Sequence, residues 1–290
     1  MPTLIDLRRR IRSVQNSQKI TQAMKTVSTA KFRKAQRVVV ASRPFWHLFP
    51  EIMDRLAYWA SDAGIHPLLE RRDEKKVEVL VVSSDKGLAG AFNSNLLARA
   101  LSFIREKEAG ASVRLVLVGK KAVGFFRKHA WPVDRSYGDR TDKLTRDEIR
   151  GLAGFLMREY AFQRVDAVYV VYNEFRSIVA PRILDMKILP LDRDAGGEGS
   201  AAWAPDWEPG ADRLARFILP LYVESQIHHV LHESQAAEQA ARMMAMDNAT
   251  KNAEELIDDL VLVLNKIRQA GITKELLEIM TAVEALRENA

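Results

Sequence analysis

Cysteine is absent from the 290 residues. That excludes disulfide frameworks, thiol nucleophiles, Cys-based zinc sites and dithiol switches. Long apolar runs are missing too: none approaches the ~18–20 residues that a membrane-spanning helix needs. Charged residues instead make up 28% of the chain. The opening Met1–Asp6 carries no signal-peptide core, so the expectation is a chain that stays in the cytoplasm or meets a membrane only through other proteins. Acid is nearly missing from residues 1–43, where Asp6 stands against eleven Lys and Arg. That segment is +10 in a chain of net +6, which leaves −4 for the remainder. A basic segment of this kind suits nucleic acid, anionic lipid or an acidic protein surface, or is a solvated face.

Glycine and proline are missing from two long stretches. Between Pro2 and Pro44 there is neither, and small or apolar residues recur at helical spacing: Leu4, Leu7, Ile11, Val14, Ser17, Ile20, Ala23, Met24, Val27 and Ala30. After Pro220 the only glycine is Gly271. There Val223, Ile227, Val230, Ala237, Ala241 and Met244 are followed, after a shift of phase, by Ala249, Ala253, Leu256, Leu260, Val263, Ile267 and Ala270. At ~1.5 Å per residue these stretches make helices of roughly 60 and 105 Å. Neither buries its stripe alone, so the expectation is that they pair as a moderately stable coiled coil with breaks in the heptad phase.

The middle of the chain reads differently. Strands are expected at Val77–Val82, Val113–Val118, Ala167–Tyr172 and Arg182–Leu189, with helices at Asn93–Glu108, Lys120–His129 and Glu148–Phe162. Short Val-rich strands alternating with helices predict a mostly parallel sheet in an α/β domain over 75–190. Residues 191–210 read as a loop or linker holding Trp203 and Trp207. The helical shaft is assigned to 1–60 and 211–290.

Few motifs suggest chemistry. Ser83–Gly90 is a glycine-containing strand-to-helix turn, the kind that cradles phosphate at a helix N-terminus. It matches neither the P-loop nor G-x-G-x-x-G, and a tight packing turn is the plainer reading. His228 and His232 share a helical face with Glu224, as metal ligands can, but nothing completes a site and a polar patch is expected. Met243, Met244 and Met246 suit helix packing. No Ser/His/Asp arrangement stands out, so neither a catalytic residue, a metal nor a cofactor is assigned.

Four segments together resemble the gamma subunit of F-type ATP synthases. They are Arg10–Lys25; Ser83–Gly90 continuing to Asn93; Glu224–Gln226 with Glu238–Met246 and Ala249–Ala253; and Asn265–Ile279. They occur in family order across nearly the whole chain. The resemblance implies a long antiparallel coiled coil of N- and C-terminal helices with an inserted Rossmann-like α/β domain. It implies a central rotor stalk, non-catalytic and without a cofactor, coupling ion flow through the membrane c-ring to the alpha/beta hexamer. The implied partners are alpha, beta, epsilon and the c-ring, at the cytoplasmic face of the bacterial plasma membrane, with no nucleic acid. Met24 and Lys25 match the segment passing a beta lever, and Arg268, Gln269 and Thr273 a segment touching a beta loop. Trp207 and Glu208 map to the foot near the ring. Ala282 and Val283 stand where the family pattern has Gly-Ala. Two rival readings stay open at this point: a basic coiled-coil nucleic-acid-binding protein, and a Rossmann-like enzyme with a small-molecule site at Ser83–Gly90.

Overall fold

A computed structural model describes residues 3–61, 66–138, 144–178, 181–191 and 211–288, and their side chains except at 42–61, 211–212 and 284–288. The expected linker therefore lies, but for its first residue, outside the described residues. So do Trp203, Trp207 and Glu208.

The elements run α1 (Leu4–Ser61), a 3-10 turn (Pro67–Leu69), β1 (Lys76–Val82), α2 (Phe92–Glu108), β2 (Ser112–Val118), α3 (Lys120–Phe126), β3 (Val133–Tyr137), α4 (Arg146–Ala161), β4 (Ala167–Glu174), β5 (Arg182–Leu189) and α5 (Ala211–Glu288). The chain divides into two compact units: Ser28–Arg242, and Met1–Val27 with Met243–Ala290.

The Ser28–Arg242 unit is built on a five-stranded sheet of order β3-β2-β1-β4-β5. β1 pairs in parallel with both β2 and β4, so Val77 faces Val113 on one side and Ala167 on the other. The central strands are continuous apolar runs because helices cover both faces. Val77, Val79 and Val81 point to α2 and α3. Leu80 and Val82 point to α4 and to the first turns of α5, where Ala215, Leu219, Val223, Ile227 and Val230 are buried. α4 begins on a capping box in which Thr145 and Glu148 satisfy each other's backbone N–H.

Two local expectations are revised. β3 is an additional strand. It lies on the sheet edge and reads Val-Asp-Arg-Ser-Tyr, with no side chain fully buried, so it gives no apolar signal. α1 also continues through Pro44, and α5 contains Pro220. A proline removes one hydrogen bond and costs about 3 kcal/mol inside a helix. Around Pro220 the buried Leu219 and Val223 offset that loss by packing on the sheet.

In the other unit the two helices lie antiparallel, low numbers against high. Leu7, Ile11 and Leu260 form the buried centre, flanked by Val14, Ile257, Leu264 and Ile267. Further along, Thr21 and Thr250 hydroxyls meet at 2.8 Å, and Lys25 Nζ lies 2.6 Å from Asp247. The seam differs from the expected one. Ile20, Val27, Leu256 and Val263 are 61%, 57%, 39% and 42% exposed. On α5 the covered positions include a run that steps by four and three through Met246, Thr250, Ala253, Ile257, Leu260, Leu264 and Ile267, with Asp247, Ala249 and Asn265 covered beside it. That is a heptad step from Met246 onward; Asn248 and Lys251, which would continue the phase of Ala237, Ala241 and Met244, are exposed, so the phase shifts where it was expected to. Polar residues occupy part of the seam, so apolar identity alone misplaces it.

Candidate functional site

In open α/β sheets ligands bind outside the carboxyl ends of the strands, where the winding direction reverses. Here β1 leads through α2 to β2 and through α3 to β3, and α4 then returns the chain to β4 on the other side of β1. The reversal lies between β1 and β4. The loops bordering it are Ser83–Ala91 and the segment beginning at Phe175.

That crevice is occupied by the chain's own helices. Phe32, Ala35 and Val39 of α1 and Ala236, Ala237 and Ala240 of α5 are buried there against Ala89, Phe92 and Phe175. Phe32 meets Phe175 edge-on, with ring centroids 5.2 Å apart. The buried Glu233 carboxylate accepts the Phe175 backbone N–H at 2.7 Å. The Arg242 guanidinium donates to the carbonyls of Lys86 and Gly87 at 3.2–3.3 Å and to Glu238 at 2.6 Å.

The Ser83–Gly90 turn is satisfied internally. Ser83 Oγ accepts the Ala122 N–H at 2.8 Å and donates to the Val118 carbonyl. Ser84 N–H and hydroxyl engage the Asn93 side chain, and Asp85 accepts the Lys120 N–H at 3.0 Å. Gly119, at φ +94, is required because a Cβ there meets the Ser83 carbonyl oxygen at 2.3 Å. The backbone N–H groups of Ser83 and Ser84 are thus spent on Val118 and Asn93, an arrangement that packs the start of the turn against β2 and α2.

The other candidates are placed as follows. His228 and His232 stack at 6.1 Å, with Glu224 3.9 Å from His228 and Arg150 of α4 3.3 Å from Glu224. Burial holds both imidazoles below their ordinary value, His232 helped by His228. Among the described residues no group of three such side chains is arranged to hold a metal. Met24 and Lys25 sit together on α1, half-covered. Arg268, Gln269 and Thr273 are exposed within two turns of α5, where the Thr273 hydroxyl donates to the Gln269 carbonyl at 3.0 Å. By the helical rise, Arg268 lies ~30 Å along α5 from Asp247, the partner of Lys25. The two groups of expected site residues are thus well separated along the coiled coil. Past Ile267, Ile272, Leu276, Leu277, Ile279, Met280 and Val283 are all exposed. Ala282 and Val283 fall in this uncovered stretch.

Sequence reasoning gave no role to Glu233, Glu238 or Arg242, although the last two lie in the Glu238–Met246 segment. Their i,i+4 spacing fits a surface pair as well as a buried one. Glu78 gave no signal either. It sits inside a Val-rich strand, fully buried, with neither carboxylate oxygen hydrogen-bonded among the described residues.

These features define a class: a doubly wound α/β domain whose ligand crevice is filled by two long helices of the same chain. Those helices also form an antiparallel coiled coil of their own. The ATP synthase family model matches residues 3–286. The chain is 42% identical over 298 residues to the ATP synthase gamma chain of Desulforudis audaxviator (strain MP104C), covering 99% of this chain and 100% of that one. It is 42% identical over 287 residues, at the same coverage, to the gamma chain of Pelotomaculum thermopropionicum. The chain belongs to the ATP synthase gamma-chain family. Among solved structures, the Euglena gracilis mitochondrial ATP synthase OSCP/F1/c-ring assembly contains a similar fold. The TM-score is 0.66 at 19% identity, over 98% of this chain and 94% of that one. The rotor of the same synthase gives 0.63 at 18% identity, over 93% and 98%.

Proposed function

We propose that this chain is the central rotor stalk subunit of an F-type ATP synthase. It couples ion flow through a membrane c-ring mechanically to ATP synthesis and hydrolysis at an alpha/beta hexamer. The observation that carries this reading is the whole-length relationship to gamma chains, 42% identical over 99% of the chain. The filled crevice supports a subunit that does no bond chemistry itself. Among the described residues no helix is long and apolar enough to cross a membrane, which fits attachment through the c-ring and the epsilon subunit at the cytoplasmic face.

The work is done by differential binding. A shaft that fits the open state of one beta subunit better than its closed state shifts that subunit's equilibrium, and with it the nucleotide affinity. Moving a two-state lever from 1:99 to 99:1 takes about 5.5 kcal/mol of such preference. The basic residues of α1 supply a field matched to acidic beta levers. Met24 and Lys25 meet one lever. Lys25, 36% exposed beside Asp247, can exchange that partner for a lever carboxylate. Arg268, Gln269 and Thr273 meet a beta loop. Arg268 offers a rigid fork of donors, whereas Gln269 both donates and accepts. Trp207 and Glu208 belong to the foot by the ring.

Co-expression with the alpha and beta chains of the same organism tests the reading. The expected result is a stable ATP-hydrolysing complex in which a bead on the sheet domain rotates. A chain that purifies alone and shifts DNA at physiological salt would overturn it.

A further inference from the structure

At the carboxyl edge of the sheet the apolar contacts of α5 are small. Its buried apolar side chains there are Ala236, Ala237 and Ala240, with Ala241 partly covered. Alanines bury little area each and interlock weakly, so at this edge apolar packing holds α5 less firmly than Leu219, Val223, Ile227 and Val230 do on the face of the sheet.

Polar contacts cross this interface to each of the two loops bordering the crevice. Glu233 accepts the backbone N–H of Phe175 after β4, at 2.7 Å. Arg242 donates to the carbonyls of Lys86 and Gly87 after β1, and Glu238 holds its guanidinium at 2.6 Å. Glu233, Glu238 and Arg242 are all buried. Burying charge is a poor route to net stability, and a buried ionic group is better suited to fixing one geometry. The receiving turn is itself unusual: Leu88 has φ +59 directly after Gly87, a conformation that surrounding contacts must hold. Glu233 and Arg242 are nine residues apart, which separates the two contacts by ~13 Å along the helix. One contact makes a pivot, whereas two at that separation resist rotation.

We infer that Glu233 and the Glu238–Arg242 pair are positioning residues that lock α5 to the sheet domain, so that torque passes between them without slip. The inference rests on the rotor reading above. The lock acts on backbone groups, so it transmits force to the sheet through β1 and β4, the two strands at the reversal. α5 continues from Arg242 as the same helix.

The test uses the assembled complex, with the hexamer held still and a bead on the sheet domain reporting angular fluctuation. Glu238→Gln with Arg242→Met removes both charges while keeping volume. The expected result is at least a twofold rise in angular variance and a fall in pumping per ATP hydrolysed under load. The melting midpoint of the chain should stay within a few degrees of wild type. Arg242→Lys keeps the charge but lacks the fork, and should give a smaller rise; it provides the reading if the double variant does not assemble. Glu233→Gln, tested alone, should raise the variance less than the double variant. Unchanged variance in the variants that assemble would overturn the lock. A wild-type complex that does not rotate would instead overturn the rotor reading.

Discussion

At the scale of single residues, Glu78 is displaced far from its ordinary behaviour. Burial, then the Asp134 and Glu159 carboxylates, push its carboxyl up to about 8, with Arg114 partly offsetting. The folded chain therefore keeps a proton that the unfolded chain releases above its ordinary value of 4.5. The resulting stability is full below that value and is lost as pH rises toward 8. Between pH ~5 and ~7 the loss is of order 2–3 kcal/mol, at 1.36 kcal/mol per unit. Glu78→Gln should flatten this dependence. Calorimetric melts at pH 5.5 and pH 8 should differ by several degrees less in the variant than in wild type. Equal pH dependence in both proteins would count against the assignment. His228 and His232 act with the opposite sign. Their folded values lie below 6.5, so stability is lost as pH falls through and below that value. Arg146 and Arg150 of α4 oppose protonation of His228, while Glu224 favours it. His232→Gln should reduce the acid loss, read as a smaller drop in melting midpoint between pH 7 and pH 5.5.

Elements test how the seam is built. Leu260 and Leu256 are the same residue one turn apart on α5, and composition alone treats them alike. Leu260 is buried against Leu7 and Ile11, whereas Leu256 faces solvent. Leu260→Ala should destabilise by about 2–3 kcal/mol through lost transfer energy and an unfilled cavity. Leu256→Ala should cost under about 1 kcal/mol, as surface changes do. Guanidinium unfolding of the two variants measures the difference, and equal losses would place the seam wrongly. The same contrast explains what was legible in the sequence. β1, β2 and β4 are central strands, so their Val-rich runs announce them to within a residue or two. β3 is an edge strand held by backbone pairing to β2, and its polar side chains hide it. The two long helices were evident from the absence of Gly and Pro. Their facing residues were not, because Gln18, Thr21, Lys25 and Ser28 continue the α1 stripe with polar groups. The buried lock residues were illegible for a related reason: Glu and Arg at i,i+4 read as a solvent-facing pair until tertiary contacts bury them.

At the scale of the whole molecule, the proposed rotor function is tested at the exposed residues proposed to meet beta. Arg268 and Gln269 are exposed on α5, next to the half-covered Ile267 of the seam. Replacing both by alanine removes donors and an acceptor from a surface where the chain itself uses none of their described side-chain contacts. Folding stability should therefore change by no more than about 0.5 kcal/mol, the usual scale for surface substitutions. Binding is the sensitive quantity. Truncating a charged hydrogen-bonding group at an interface typically costs 2–5 kcal/mol, which is roughly 30-fold or more in affinity. The Arg268→Ala, Gln269→Ala chain should accordingly melt like wild type on its own, yet assemble weakly with alpha and beta and pump ions poorly when driven by ATP. Raising salt should weaken assembly of the wild type as well, because the +10 segment at residues 1–43 acts through a field screened within ~10 Å at 0.1 M. The variant's deficit should persist at high salt, since a hydrogen-bonded contact is short-ranged. Titrating the reconstituted complex with salt, and reading ATP-driven pumping at each step, separates the two contributions. A double variant that matches wild type at every salt concentration would remove these residues from the coupling surface.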